Sequence, residues 1–211
     1  MGYCSQVMRT LRAAAAAARE RGPRAACDVL LTRVFSRSRT YLYQRAAGGP
    51  VASAPQDLRI VRLDPEQRAA CLSDLVRAGA GPELGLLRAD TIGYLAYWHG
   101  APVGSGWRYP HSRLLRRLRQ PQSAAYLGGF YVLPEARGRG IYPALLRTMC
   151  CDAGAPSVLC FAQTSLDNLS SQRGLTKAGF ERLGELRVLV LAGLIVACRL
   201  RGAADPIPPE R

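Results

Sequence analysis

Apolar and polar positions alternate along residues 58–63, the period-two pattern of a strand, and strand-like runs follow at 91–98, 101–110 and 124–132. Between the first two, apolar residues recur every three or four positions from Asp64 to Gly79. Asp64 suits an N-cap there, Pro65 the first helical position and Gly79 the stop. A shorter helical piece is expected over 83–87, and His99-Gly100 reads as a hairpin turn. After Val132 come Pro134, a turn rich in arginine and glycine, and an apolar helix to about Cys151. A short strand over 157–163, a polar helix over 168–178 and two final strands close the pattern. The run Val188–Cys198, broken by Gly193, predicts that these last strands are buried and meet at a tight turn. Upstream, 5–21 and 24–36 read as helices split at Pro23, with a strand over 39–45. The small-residue, Gly- and Pro-bearing stretch 46–56 then reads as a linker.

This order predicts an α/β (α+β) fold: a mixed, mostly antiparallel sheet flanked by helices, with an N-terminal helical appendage. The expected parts are 1–56 (appendage and linker), 57–201 (main domain) and 202–211 (tail). Composition changes little. The net charge of +14 is carried by arginines scattered along the chain, with Lys177 the one lysine. The interleaved aromatics of a nucleic-acid module are missing, which argues against that class of partner. The seven cysteines lack C-x-x-C spacing, and His99 and His111 are the only histidines, so no zinc site is expected. They read as small buried residues in a reducing cytoplasm. No apolar run reaches the ~18 residues of a membrane span. The arginine-rich, acid-poor start also suits an organellar transit peptide.

The chemistry concentrates in the stretch Val132–Leu146, "VLPEARGRGIYPALL". Gly138 and Gly140 let a backbone approach a ligand closely, and a helix beginning near Ile141 offers free N–H groups and a positive dipole end. Arg137 and Arg139 add charge-assisted donors. Together these suit a pyrophosphate.

The strand order and this turn resemble the GNAT superfamily of acyl-CoA N-acyltransferases over about Asp57–Arg201. Its acyl-CoA fingerprint, R/Q-x-x-G-x-G/A after a strand ending V-x-P, is matched by Val132, Pro134, Arg137, Gly138, Arg139, Gly140, Ile141 and Tyr142. A second element, N-x-x-A/S-x-x-x-x-x-K-x-G-F, is matched by Asn168, Ser171, Lys177, Gly179 and Phe180. The resemblance implies acetyl-CoA, or another acyl-CoA, as co-substrate and no metal. It implies pantetheine pairing along a splayed fourth strand, Asn168 on the pantetheine arm and the Val132 N–H as oxyanion donor.

Three positions depart from the pattern. Tyr142 replaces the last Gly or Ala, so its ring must turn away from the phosphates. Gly128 fills the slot of a frequent glutamate base, and Leu175 that of a frequent tyrosine acid. Tyr126, two residues from Gly128 on the same strand face, is the candidate catalytic substitute; a core tyrosine is the competing reading. Gly104, Gly106, Gly128 and Gly129 suggest either room for a bulky acceptor or longer acyl chain, or plain sheet packing. The segment 110–122, with Arg113, Arg116, Arg117 and Arg119 beside Leu114, Leu115 and Leu118, reads as a short amphipathic helix. It is either a lid favouring an acidic acceptor or a solvated basic face. The expected activity is acetyl transfer to a small-molecule amine by direct attack. The alternatives are a longer acyl-CoA or an acidic or sugar-bearing acceptor, and a non-catalytic coenzyme A sensor or scaffold. A homodimer is left open.

Overall fold

The computed structural model describes residues 19, 22, 35–48, 55–80, 84, 87–191 and 194–202. The elements are β1 (Phe35–Ala46), β2 (Leu58–Leu63), α1 (Leu72–Arg77), β3 (Ile92–Trp98), β4 (Ala101–Tyr109) and α2 (Arg113–Arg117). β5 (Ala125–Val132), α3 (Ile141–Cys151), β6 (Leu159–Ser165), α4 (Leu169–Lys177), β7 (Glu181–Leu191) and β8 (Leu194–Gly202) follow. The eight strands run in the order β2-β3-β4-β5-β6-β1-β7-β8. Neighbours β2 to β5 are antiparallel, β5 and β6 parallel, and β7 and β8 antiparallel. The fold is therefore the mixed, mostly antiparallel α+β sheet that the sequence predicts.

Two compact units divide the chain, Tyr41–Leu183 and Met1–Thr40 with Gly184–Arg211. In the larger, Ile141, Leu145, Leu146 and Met149 of α3 pack with Leu127, Cys160, Phe180 and Tyr43 on one core. Leu75 of α1 meets Leu63, Leu95 and Trp107 on the other. Strands buried on both faces favour apolar or small residues, and β4 follows that from Pro102 to Trp107, with Arg108 the buried exception. In the smaller unit, β7 and β8 pair from Gly184↔Gly202 to Leu191↔Leu194. They meet as expected, but burial is incomplete: Leu191, Val196 and Leu200 are exposed.

Local expectations fare unevenly. The His99-Gly100 turn forms with both residues at positive φ, the signature of a type I′ hairpin. The helix expected from Asp64 does not start there. The Asp64 carboxylate accepts from Arg62 instead of capping, 65–71 form turns, and α1 occupies only the second half. Gly79, at φ 82°, still ends it, with Ala80 N–H bonding the Leu75 carbonyl. The helix expected over 24–36 gives way at its end, because β1 already starts at Phe35. Apart from Arg19, which is helical, the remaining N-terminal helical readings and most of 83–87 lie outside the described residues.

Candidate functional site

The site begins where β5 parts from β6. Their parallel ladder runs from Ala125↔Cys160 to Leu127↔Ala162, while both strands continue beyond it. β5 stays paired to β4 up to Gly104↔Val132, so its far side, from Gly128 onward, leaves the ladder with β6. Gly129 drives this change of course. It lies at φ 60° in a bulge where Gly129 and Phe130 oppose the single residue Gly106.

After Val132 a short turn, Pro134–Ala136, leads into the glycines. Gly138 and Gly140 both sit in the left-handed region, at φ 78° and 75°, where a side chain is strained. Gly140 is the N-cap of α3 and caps with no side chain, so the first turn of this eleven-residue helix presents bare N–H groups. Pro143 falls in that first turn, where its missing N–H breaks no helical bond. Arg137 turns back on the strand, its Nε donating to the Val132 carbonyl at 3.1 Å. The Arg139 guanidinium lies 5.7 Å from the Trp98 ring. Among the described residues neither arginine pairs with a carboxylate, leaving both charges available to an anion.

Tyr142 turns away from this turn and onto α4. Its ring lies against Gly174, where a Cβ would collide with it, and its hydroxyl meets Ser171 Oγ at 3.1 Å. Burial pushes its pKa up to about 12, so it is neutral at any physiological pH. The Phe130 ring meets it edge-on at 5.1 Å. Asn168 caps α4, its side-chain oxygen accepting from Ser171 N–H and Ser170 Oγ, each at 3.0 Å. Through Ser171, the Tyr142 contact thus ties the fingerprint turn to the Asn168 cap.

The profile of the Acetyltransferase (GNAT) family matches residues 61–180, more than half of the chain and inclusive of all these features. The chain belongs to the GNAT acetyltransferase family. The chain is also similar to solved structures. A GCN5-related N-acetyltransferase from Kribbella flavida is 16% identical over 78% of this chain and 63% of its own, with a TM-score of 0.48. A conserved protein of unknown function from Staphylococcus epidermidis is 15% identical over 79% of this chain and 66% of its own, with a TM-score of 0.50. The aminoglycoside N-acetyltransferase AAC(6')-Iy, in complex with CoA, is 16% identical over 72% of this chain and 99% of its own, with a TM-score of 0.43. The chain thus spans less than two thirds of the first two. No curated protein sequence matches it.

On the opposite face of the sheet this GNAT chain replaces the usual base slot with Gly128. A Cβ there would meet Tyr126 Cε1 at 2.9 Å and its hydroxyl at 3.6 Å. The Tyr126 phenol therefore occupies the space a side chain at 128 would enter, with Tyr109 beside it at 5.9 Å between ring centres. At Gly104, Gly106 and Gly128 the space beside the backbone is filled. Phe130 fills the space over Gly106, Tyr126 that over Gly128, and the Tyr131 carbonyl closes on Gly104. At these three positions sheet packing is the reading observed.

The arginine-rich segment forms α2, capped by Ser112 and anchored by buried Leu114 and Leu115, with Arg113, Arg116, Arg117 and Arg119 exposed. It leaves β4 and enters β5 at the end remote from Val132, ~23 Å along the strand, so it does not cover the fingerprint turn. Sequence patterns missed Phe130 and Gly174, because each matters only through its contact with the Tyr142 ring elsewhere in the chain. No group of three or more His, Cys, Asp or Glu among the described residues is placed to hold a metal.

Proposed function

We propose that this GNAT protein transfers an acetyl group from acetyl-CoA to the amine of a small molecule by direct attack. The observation that carries the reading is the Arg137–Gly140 turn: a glycine-capped helix start with two arginines that pair with no carboxylate among the described residues, set at the open end of the β5–β6 ladder. In this reading the N–H groups of Ile141 and Tyr142, with Gly138, Arg137 and Arg139, hold the coenzyme A pyrophosphate. The pantetheine amides pair along β5 beyond Leu127, as an added strand would. Asn168, already ordered as a cap, offers its side-chain amide to that arm.

The thioester carbonyl then lies by the Val132 N–H, which stabilises the oxyanion as the amine attacks. Tyr126 stands in for the missing carboxylate as the polar group beside the amine. The Phe130 ring over Gly106 favours a short acyl chain over a long one. The thiols of Cys71, Cys150, Cys160 and Cys198 are free, which suits a cytoplasmic setting, and no described helix is long and apolar enough to cross a membrane.

Isothermal titration of acetyl-CoA, run beside thiol release with polyamines, amino sugars and amino acids, tests this. The wild-type protein is expected to bind and to turn over at least one amine. Gly140→Asp should lose binding ~10²-fold or more, from backbone strain at positive φ and a negative charge at the anion site. Tyr126→Phe should keep binding and lower turnover. Binding without thiol release from any amine would instead support the non-catalytic reading, which Gly128 and Leu175 favour.

A further inference from the structure

We propose that Ser105 and Trp107 hold a buried water molecule beside the reacting amine, and that this water receives the proton a strand carboxylate would otherwise take. The inference rests on the acetyl-transfer reading above and names the proton's first stop in it. Both side chains project from β4 toward α1, two residues apart, and both are 0% exposed. Neither Ser105 Oγ nor Trp107 Nε1 has a hydrogen-bond partner within the protein. Burying an unpaired hydroxyl and an unpaired indole N–H is costly, and folded proteins meet such groups with ordered water.

Their position gives the pair its meaning. Ser105 is the cross-strand partner of Tyr131, and Trp107 that of Gly128, so the two polar groups flank the Gly129 bulge and face the glycine in the base slot. The indole sets its Cζ3 edge against Gly93, where a Cβ would come within 2.7 Å, which leaves Nε1 on the other long edge. Tyr126 covers Gly128 on this same face.

The chemistry selects water over the amine itself. Trp107 Nε1 is a donor only, and an ammonium group has no lone pair to offer it. A water accepts from Nε1–H, exchanges a hydrogen bond with Ser105 Oγ and keeps a lone pair for the amine.

In the reaction the amine nitrogen bonds to the thioester carbon, and the C–S bond then breaks with its electron pair leaving on sulfur. An ammonium acceptor sheds two protons on its way to the amide. One ends on the thiolate, and the other passes through this water to solvent.

Ser105→Ala and Trp107→Phe test the assignment by thermal denaturation, acetyl-CoA titration and the pH–rate profile of thiol release with an amine the wild type accepts. We expect unchanged acetyl-CoA affinity, a lower melting temperature for Ser105→Ala, and an unchanged KM. kcat should fall ~10²-fold with its pH dependence displaced to higher pH, and Ser105→Thr should restore the profile. A higher melting temperature in Ser105→Ala, with kcat and pH profile unmoved, would overturn the proposal, because the hydroxyl would then be an uncompensated orphan. Wild-type protein that binds acetyl-CoA but releases no thiol sinks the parent reading and the proton step with it. The sign of the melting shift still decides whether the water is held.

Discussion

Tyr142 stands where the family fingerprint carries glycine or alanine, and it fits because Gly174 has no side chain. This makes the pair a sensitive point. Gly174→Ala adds a methyl group into the ring, and should cost ~1–3 kcal/mol through overpacking, outweighing the ~1 kcal/mol gain in helix propensity. Tyr142→Phe keeps the ring and loses only the bond to Ser171, about 0.5–1.5 kcal/mol. Thermal denaturation of both variants checks the order. The raised pKa of Tyr142 adds stability that is complete below pH ~10 and lost as pH rises toward 12. That the ring turns away was legible, since a tyrosine beside a phosphate-binding turn has to leave it. Where it goes was not legible, because Gly174 lies 32 residues downstream and carries no pattern of its own.

Elements were legible where one signal decided them. Alternation placed β2, and strand-like runs placed β3 to β5, to within a residue or two, and His99-Gly100 specified its hairpin. Asp64 shows the opposite case: as an N-cap candidate it had a nearer partner in Arg62, and the ion pair displaced the helix start. β7 carries a similar competition to a different end. Glu185 on β7 receives Arg39 Nε at 2.9 Å and Arg187 Nε at 2.7 Å, hydrogen bonds that hold its pKa down to about 2. A carboxylate held low stabilises the fold fully above its unfolded pKa, and this contribution fades as pH falls from ~4.5 toward 2. The melting temperatures of wild type and Glu185→Gln should therefore differ at pH 6 and converge by pH 2.

At the scale of the molecule, the part least legible was the place of β1. Its strand character shows in the alternation of 39–45, yet nothing in that pattern says that it lies between β6 and β7. Long-range pairing of this kind leaves no mark on a single sequence. Within the larger unit, Leu42 and Tyr43 are fully buried, and the Ala47 and Gly48 N–H groups bond to the carbonyls of Val158 and Cys150. A chain starting at Gly48 should accordingly fail to fold cooperatively, read as loss of a sharp melting transition, because the β6 side and the α3 core would lie open.

That same placement sets an order of events during synthesis. β1 leaves the ribosome more than a hundred residues ahead of β6, the strand it lies beside. At about 5–20 residues per second it waits of the order of 5–20 seconds with both edges bare. Among the described strands the first to be made is thus among the last to be seated, and during that interval its open edges are exposed to pairing with other strands.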